Sequence, residues 1–234
     1  MVRGGPQGVR LVDAVNISTS DPASTRPSTG VPRWPARVAL LVIGGLFLFI
    51  SDQLTPGPSW LPLAVVVSLL VLGALAIRRE RHDIGRVIAL TTVSIITVAV
   101  VISTTYLVSQ LFGGGLAAES MLQGSGLIWL ANIVTFSVWY WEIDGGGPAK
   151  RRMDGHITTD FLFPQLQVGE GKEIHGWSPT FLDYAFVAWN ASTAFSPTDT
   201  LIMSRRAKVL MMIQSLTSLV TIAVLAARAI NTLR

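Results

Sequence analysis

The run VIALTTVSIITVAVVISTTYLVSQLFGGGLAA, Val87 to Ala118, contains no charged residue. It is longer than the roughly 20 residues a helix needs to cross a hydrocarbon core about 30 Å thick. Four more uncharged runs accompany it: Val38–Ser51, Gln53–Ile77, Ser120–Trp141 and Val209–Ala227. A segment in lipid must satisfy its own backbone polar groups, so each run is read as a helix. The fold class is all-α, a polytopic membrane bundle. Five transmembrane helices are expected, four of them at about 36–54, 59–77, 87–112 and 121–142 and the fifth near the carboxyl end, with one short re-entrant or interfacial helix before it.

Composition points the same way, with 50% hydrophobic residues, 14% charged residues and a mean hydropathy of +0.52. The chain has no cysteine, which excludes disulfides, thiolate metal sites and cysteine catalysis. Its net charge of +4 comes from cations clustered beside apolar runs, where membrane orientation and anionic lipid explain them without nucleic acid. Arg outnumbers Lys and Ala and Val are abundant, a bias of GC-rich bacterial coding. A bacterial inner membrane is the expected location.

Of the 18 Lys and Arg residues, only Arg228 and Arg234 fall outside the segments that five crossings would place on one side. Those segments carry Arg3 to Arg37, then Arg78, Arg79, Arg81 and Arg86, then Lys150 to Lys208. The positive-inside rule therefore puts the amino terminus in the cytoplasm. Residues 1–34, rich in Gly, Pro, Ser and Thr, are expected to be a disordered cytoplasmic tail. Residues 35–143 form a four-helix membrane scaffold, 144–178 a cytoplasmic loop, and 179–234 the short helix, a polar turn and the last span. The glycines Gly145, Gly146 and Gly147 lack a P-loop context and are read as a flexible exit from the membrane.

Three polar stripes recur at helical spacing: Ser94, Thr97 and Thr104; Asn132, Thr135 and Trp139; and Gln214, Ser218 and Thr221. Each serves either interhelical packing or a solute path. Between Asp183 and Asp199, 15 uncharged residues reach about 22 Å as a helix, too short to cross. The segment ends in oxygen-rich side chains. Asn190, Ser192, Thr193, Ser196, Pro197, Thr198 and Asp199 are the candidate pore or turn residues, and Gln214, Ser218 and Thr221 the candidate path lining. Ser196-Pro197-Thr198-Asp199 also has the form of a helix start, with Ser as cap and Pro at the first position. Asp183, Arg205 and Arg206 are candidate charge partners. His82, His156 and His175 are scattered, no acid, base or nucleophile arrangement is present, and neither enzyme activity, a metal nor a cofactor is expected.

The segment from Thr180 to Arg228, with an aromatic short helix, a polar Ser-Pro-Thr turn and a helix ending Leu225-Ala226-Ala227-Arg228, resembles the pore module of two-helix potassium-channel-like proteins. It lacks their Gly-Tyr-Gly filter, having no Gly after Gly176. The whole chain is similar to a family of uncharacterised bacterial multi-pass predicted membrane proteins through Trp139-Tyr140-Trp141-Glu142, Asp160 to Gln165 and Ala194 to Thr200. Two functions follow as expectations. One is a channel- or transporter-like homo-oligomer for a small ion or solute; the other is a non-conducting scaffold or accessory subunit that binds membrane lipids or a protein partner.

Overall fold

The computed structural model describes residues 34–79, 81–113, 116–152, 159–167, 177–193 and 199–232. The amino-terminal tail, His156, His175 and the Ser196, Pro197 and Thr198 positions lie outside the described residues. The fold is all-α. Helices α1 (Trp34–Phe47), α2 (Leu61–Arg78), α3 (His82–Gly113) and α4 (Ala118–Ile143) are followed by β1 (Phe161–Leu162) and the single-turn α5 (Pro164–Gln167). Then come α6 (Phe181–Thr193), β2 (Leu201–Ile202) and α7 (Arg205–Thr232). Among the described residues, α2, α3, α4 and α7 are long and apolar enough to cross a membrane. These are the helices of an integral membrane protein. Helix α1 is shorter, at 14 residues.

Helix α4 sits at the centre of the bundle and touches α1, α3, α6 and α7. Its most apolar window is 61% buried, against 6% for α2, which packs chiefly on α1 and α3 and turns the rest outward. That contrast explains the sequence. Helix α2 can be almost uniformly aliphatic, whereas α4 places Asn132, Thr135 and Ser137 where other helices cover them. Close approach sets the glycines: a Cβ on Gly124 would lie 2.5 Å from Leu54, and one on Gly44 would lie 3.0 Å from the Leu63 backbone.

The chain between α1 and α2 turns through Asp52–Leu54, where Leu54 is fully buried, and Asp52 Oδ1 accepts from the Ser59 amide at 2.8 Å. Gly57, at φ +131°, completes the turn read from Thr55-Pro56-Gly57-Pro58. The last helix begins later than the Ser-Pro pattern suggested. Asp199 lies in a bend, the short strand β2 pairs antiparallel with β1, and Ser204 caps α7 by accepting from the Ala207 amide at 3.2 Å.

Candidate functional site

Helix α6 starts beside the carboxyl end of α4 and ends deep among α4 and α7. Its start is a cap: the Thr180 amide and hydroxyl both donate to Asp183 Oδ2 at 2.7 Å. Asp183 is therefore a capping group in this structure, and among the described residues no arginine forms a salt bridge with it. The other end of α6 meets α7 at Gln214 to Ser218, about 14 to 20 Å along that helix at 1.5 Å per residue. The chain is then back beside its starting level at β2, where the Met203 amide donates to the Asp160 carbonyl at 2.9 Å. The start of α6 and strand β2 thus lie at the same end of the bundle.

The final turn of a helix presents carbonyls that side-chain donors can satisfy. Side chains of the same chain supply them here. Thr193 Oγ1 donates to the Asn190 carbonyl at 3.3 Å, Ser215 Oγ to the Ala191 carbonyl at 3.1 Å, and Ser218 Oγ to the Ser192 carbonyl at 2.7 Å. One turn earlier, Gln214 Nε2 donates to both the Ala188 carbonyl and Ser192 Oγ at 2.7 Å. The other Gln214 amide atom, Oε1, accepts from the Tyr140 hydroxyl, and Asn132 Nδ2 donates to the Gln214 carbonyl at 3.1 Å. Two residues of the polar stripe on α7, Gln214 and Ser218, thus bond the last turn of α6.

The stripes read from the sequence face one another across this seam. Trp139 Nε1 donates to Thr97 Oγ1 at 2.8 Å, and Thr104 and Thr221 hydroxyls lie 3.5 Å apart. Gln214, Ser218 and Thr221 are at most 1% exposed. Of the candidate turn residues, Asn190, Ser192 and Thr193 are helical; the first two are buried and the third half-buried, while Asp199 is exposed. Among the described residues, Asn132 Oδ1 and Asn190 Nδ2 are buried without a hydrogen-bond partner.

The second cluster, which sequence reasoning missed as a unit, closes the carboxyl end of α4. Asp144 is 1% exposed. Its Oδ1 accepts from the Asp160 amide at 2.7 Å, Thr159 Oγ1 at 3.0 Å and the Phe161 amide at 3.2 Å, and its Oδ2 accepts from the Tyr184 hydroxyl. Arg151 Nη1 donates to the Trp141 and Asp144 carbonyls at 2.8 Å, and its guanidinium lies over the rings of Trp141 and Tyr184 at 4.9 and 5.1 Å. Cations at the negative end of α4 are placed where its dipole favours them.

Asp160 holds the neighbouring position. Arg206 Nε and Nη2 donate to its two oxygens at 2.7 and 2.6 Å, Nη2 also reaches the Ile143 carbonyl at 3.1 Å, and the Gly145 amide donates to Asp160 Oδ2 at 3.0 Å. The carboxylate partner of Arg206 is Asp160, neither Asp183 nor Asp199; Arg205 is exposed. Burial would raise the Asp160 carboxyl, but hydrogen bonds from Arg206 and Ser204, the arginine charge and the Gly145 amide hold it below the usual carboxylate range. Burial pushes the Tyr184 hydroxyl up, so it stays a donor to Asp144.

The triple glycine is a built turn and not a loose exit. Gly145, Gly146 and Gly147 have φ of +56°, +81° and +103°, values that bring the chain back beneath α4 so that Arg151 can cap it. Aromatic rings seal the cluster, with Tyr140 and Phe161 centroids 4.9 Å apart and Phe163 edge-on to Tyr184 at 5.4 Å. Among the described residues, no group of His, Asp and Glu is arranged to hold a metal ion. No protein-family model, curated protein or solved structure matches the chain.

Proposed function

We propose that this protein is a non-conducting membrane scaffold or accessory subunit, in which α6 is a locked structural element. One observation carries this reading: the carbonyls of Asn190, Ala191 and Ser192 at the end of α6 are all bonded by side chains of the same chain. A re-entrant helix is costly in lipid unless protein or water satisfies it, and a permeating species would be one way to offset that. Here Thr193, Ser215 and Ser218 do so. The residues that would line a path are instead contacts between helices. In this reading the chain lies in a bacterial inner membrane, with the end that carries Arg37, Arg86, Arg151 and Arg206 toward the cytoplasm and anionic lipid.

A second reading, a channel- or transporter-like pore assembled from several copies, is favoured by α6 ending near the middle of α7 with its negative dipole end inward. Half-helices of that kind hold cations in transporters. The resemblance to potassium-channel-like pore modules supports it too. Ion flux through proteoliposomes containing the full chain separates the two, with potassium, sodium and chloride gradients applied to wild type and Asp199→Asn. The scaffold reading expects flux equal to that of empty liposomes for all three ions. Flux above that background, altered by the substitution, would overturn it in favour of the pore.

A further inference from the structure

The face of α6 opposite Gln214 borders an open groove of about 700 Å³. Leu182, Phe186 and Trp189 lie along it at helical spacing, 76%, 61% and 47% exposed, and Ile133 of α4 forms part of its wall. An apolar wall on a membrane protein ordinarily meets only acyl chains. Among the described residues this one is rimmed by charge of a single sign: Asp183 and Asp199 come from different elements, and Gln165 adds a buried Oε1 without a hydrogen-bond partner there. No Lys, Arg or His is among the described residues that line the groove. The phosphate of an anionic phospholipid would face two carboxylates, with no cationic side chain among the described lining residues to meet it.

We infer that the groove binds a free organic cation with an apolar body, a quaternary ammonium or phosphonium. Its apolar groups rest on Leu182, Phe186 and Ile133, its charge faces Asp199 and Asp183, and the Trp189 ring adds a cation–π contact. The volume falls within the roughly 300 to 1,000 Å³ of small-molecule sites, which combine apolar walls with a few directed polar groups. The inference stands apart from the scaffold reading, because equilibrium binding requires no passage across the membrane.

The test is equilibrium binding of tetraphenylphosphonium to the full chain in nanodiscs, beside tetraphenylborate, which has the same shape and opposite charge. The expected result is saturable binding of one phosphonium per chain, weakened about tenfold by Asp199→Asn, consistent with loss of one close charge, and no saturable binding of the borate. Asp199 is exposed, so the variant should fold. Phe186→Ala, also at an exposed position, should weaken binding through lost apolar contact. Absence of saturable phosphonium binding to folded wild type would overturn the inference. So would equal affinity for the two ions, or binding indifferent to both substitutions, either of which is partition into the bilayer. A phospholipid retained in the groove and not displaced by phosphonium would overturn it as well.

Discussion

Arg206 grips Asp160 at two points, Nε to Oδ1 at 2.7 Å and Nη2 to Oδ2 at 2.6 Å, and the same guanidinium reaches the Ile143 carbonyl. One side chain thereby joins the start of α7, the strand entering β1 and the end of α4. Removing one partner of a buried pair typically costs about 3 to 5 kcal/mol. Arg206 is 55% exposed here, which lowers the expectation for Asp160→Asn to about 2 kcal/mol. Arg206→Lys should be nearly as damaging, since an ammonium cannot make both contacts in one plane. Thermal unfolding in a mild detergent measures both; an Asp160→Asn protein as stable as wild type would refute the role given to the pair.

The same pair sets a dependence on acid. The folded Asp160 carboxyl lies below its ordinary value of 3.8, so its contribution to stability is complete above that value and is lost as pH falls through the folded pKa. Unfolding temperature measured from pH 7 to pH 3 should therefore drop more steeply for wild type than for Asp160→Asn at the acid end. Parallel curves would mean that Asp160 does not titrate with folding.

Ser218 should matter because of where α6 stops. Its hydroxyl is the donor to the Ser192 carbonyl at 2.7 Å, and both residues are buried. Ser218→Ala leaves that carbonyl unsatisfied, at a cost of about 1 to 3 kcal/mol, whereas Ser218→Thr keeps the donor. Hydrogen exchange provides the local readout. Amides in the last turn of α6 should exchange faster in the alanine variant while those in the middle of α4 keep their protection, and a uniform acceleration would point to global loosening instead.

The all-α bundle was legible because lipid imposes one rule on every segment, and the uncharged runs obey it plainly. The seam was half legible. Spacing put Gln214, Ser218 and Thr221 on one face, but periodicity cannot say what a face meets: Gln214 and Ser218 meet the buried end of α6, and Thr221 meets Thr104 of α3. The cluster around Asp144 was opaque for a different reason. Asp144, Arg151, Asp160, Tyr184 and Arg206 come from four separated segments, and only folding the glycine turn back under α4 brings them together. One signal was present: Asp160 stands directly before the apolar Phe161-Leu162-Phe163, an acid placed where burial needs a partner.

Orientation can be read with two cysteines, because the chain has none of its own. Gln53 and Ala149 are exposed and lie at opposite ends of the bundle, the first in the turn after α1 and the second after the glycine turn. In intact cells an impermeant thiol reagent should label Gln53→Cys, while Ala149→Cys should react only after the membrane is opened. The reverse pattern would place the basic end outside and set aside the positive-inside assignment.

The glycine turn makes the sharpest distinction between neighbouring positions. Gly145, at φ +56° and ψ +23°, occupies the left-handed region that Asn tolerates, so Gly145→Asn should add little backbone strain and cost less than a substitution at Gly147. Gly147 has φ +103°, and a Cβ there would lie 3.1 Å from Arg86 Nε and 3.3 Å from the Glu142 carbonyl. Backbone strain and crowding against α4 then act together, and Gly147→Ala should lose about 2 to 3 kcal/mol. The loss has a direction as well as a size: easing the clash shifts the turn away from α4, which draws the Arg151 guanidinium off the Trp141 and Asp144 carbonyls. Tryptophan fluorescence of the folded variant should report the change at Trp141, now without its stacked cation. If Gly145→Asn and Gly147→Ala are equally mild, the turn is looser than its dihedral angles imply, and the capping of α4 by Arg151 does not depend on it.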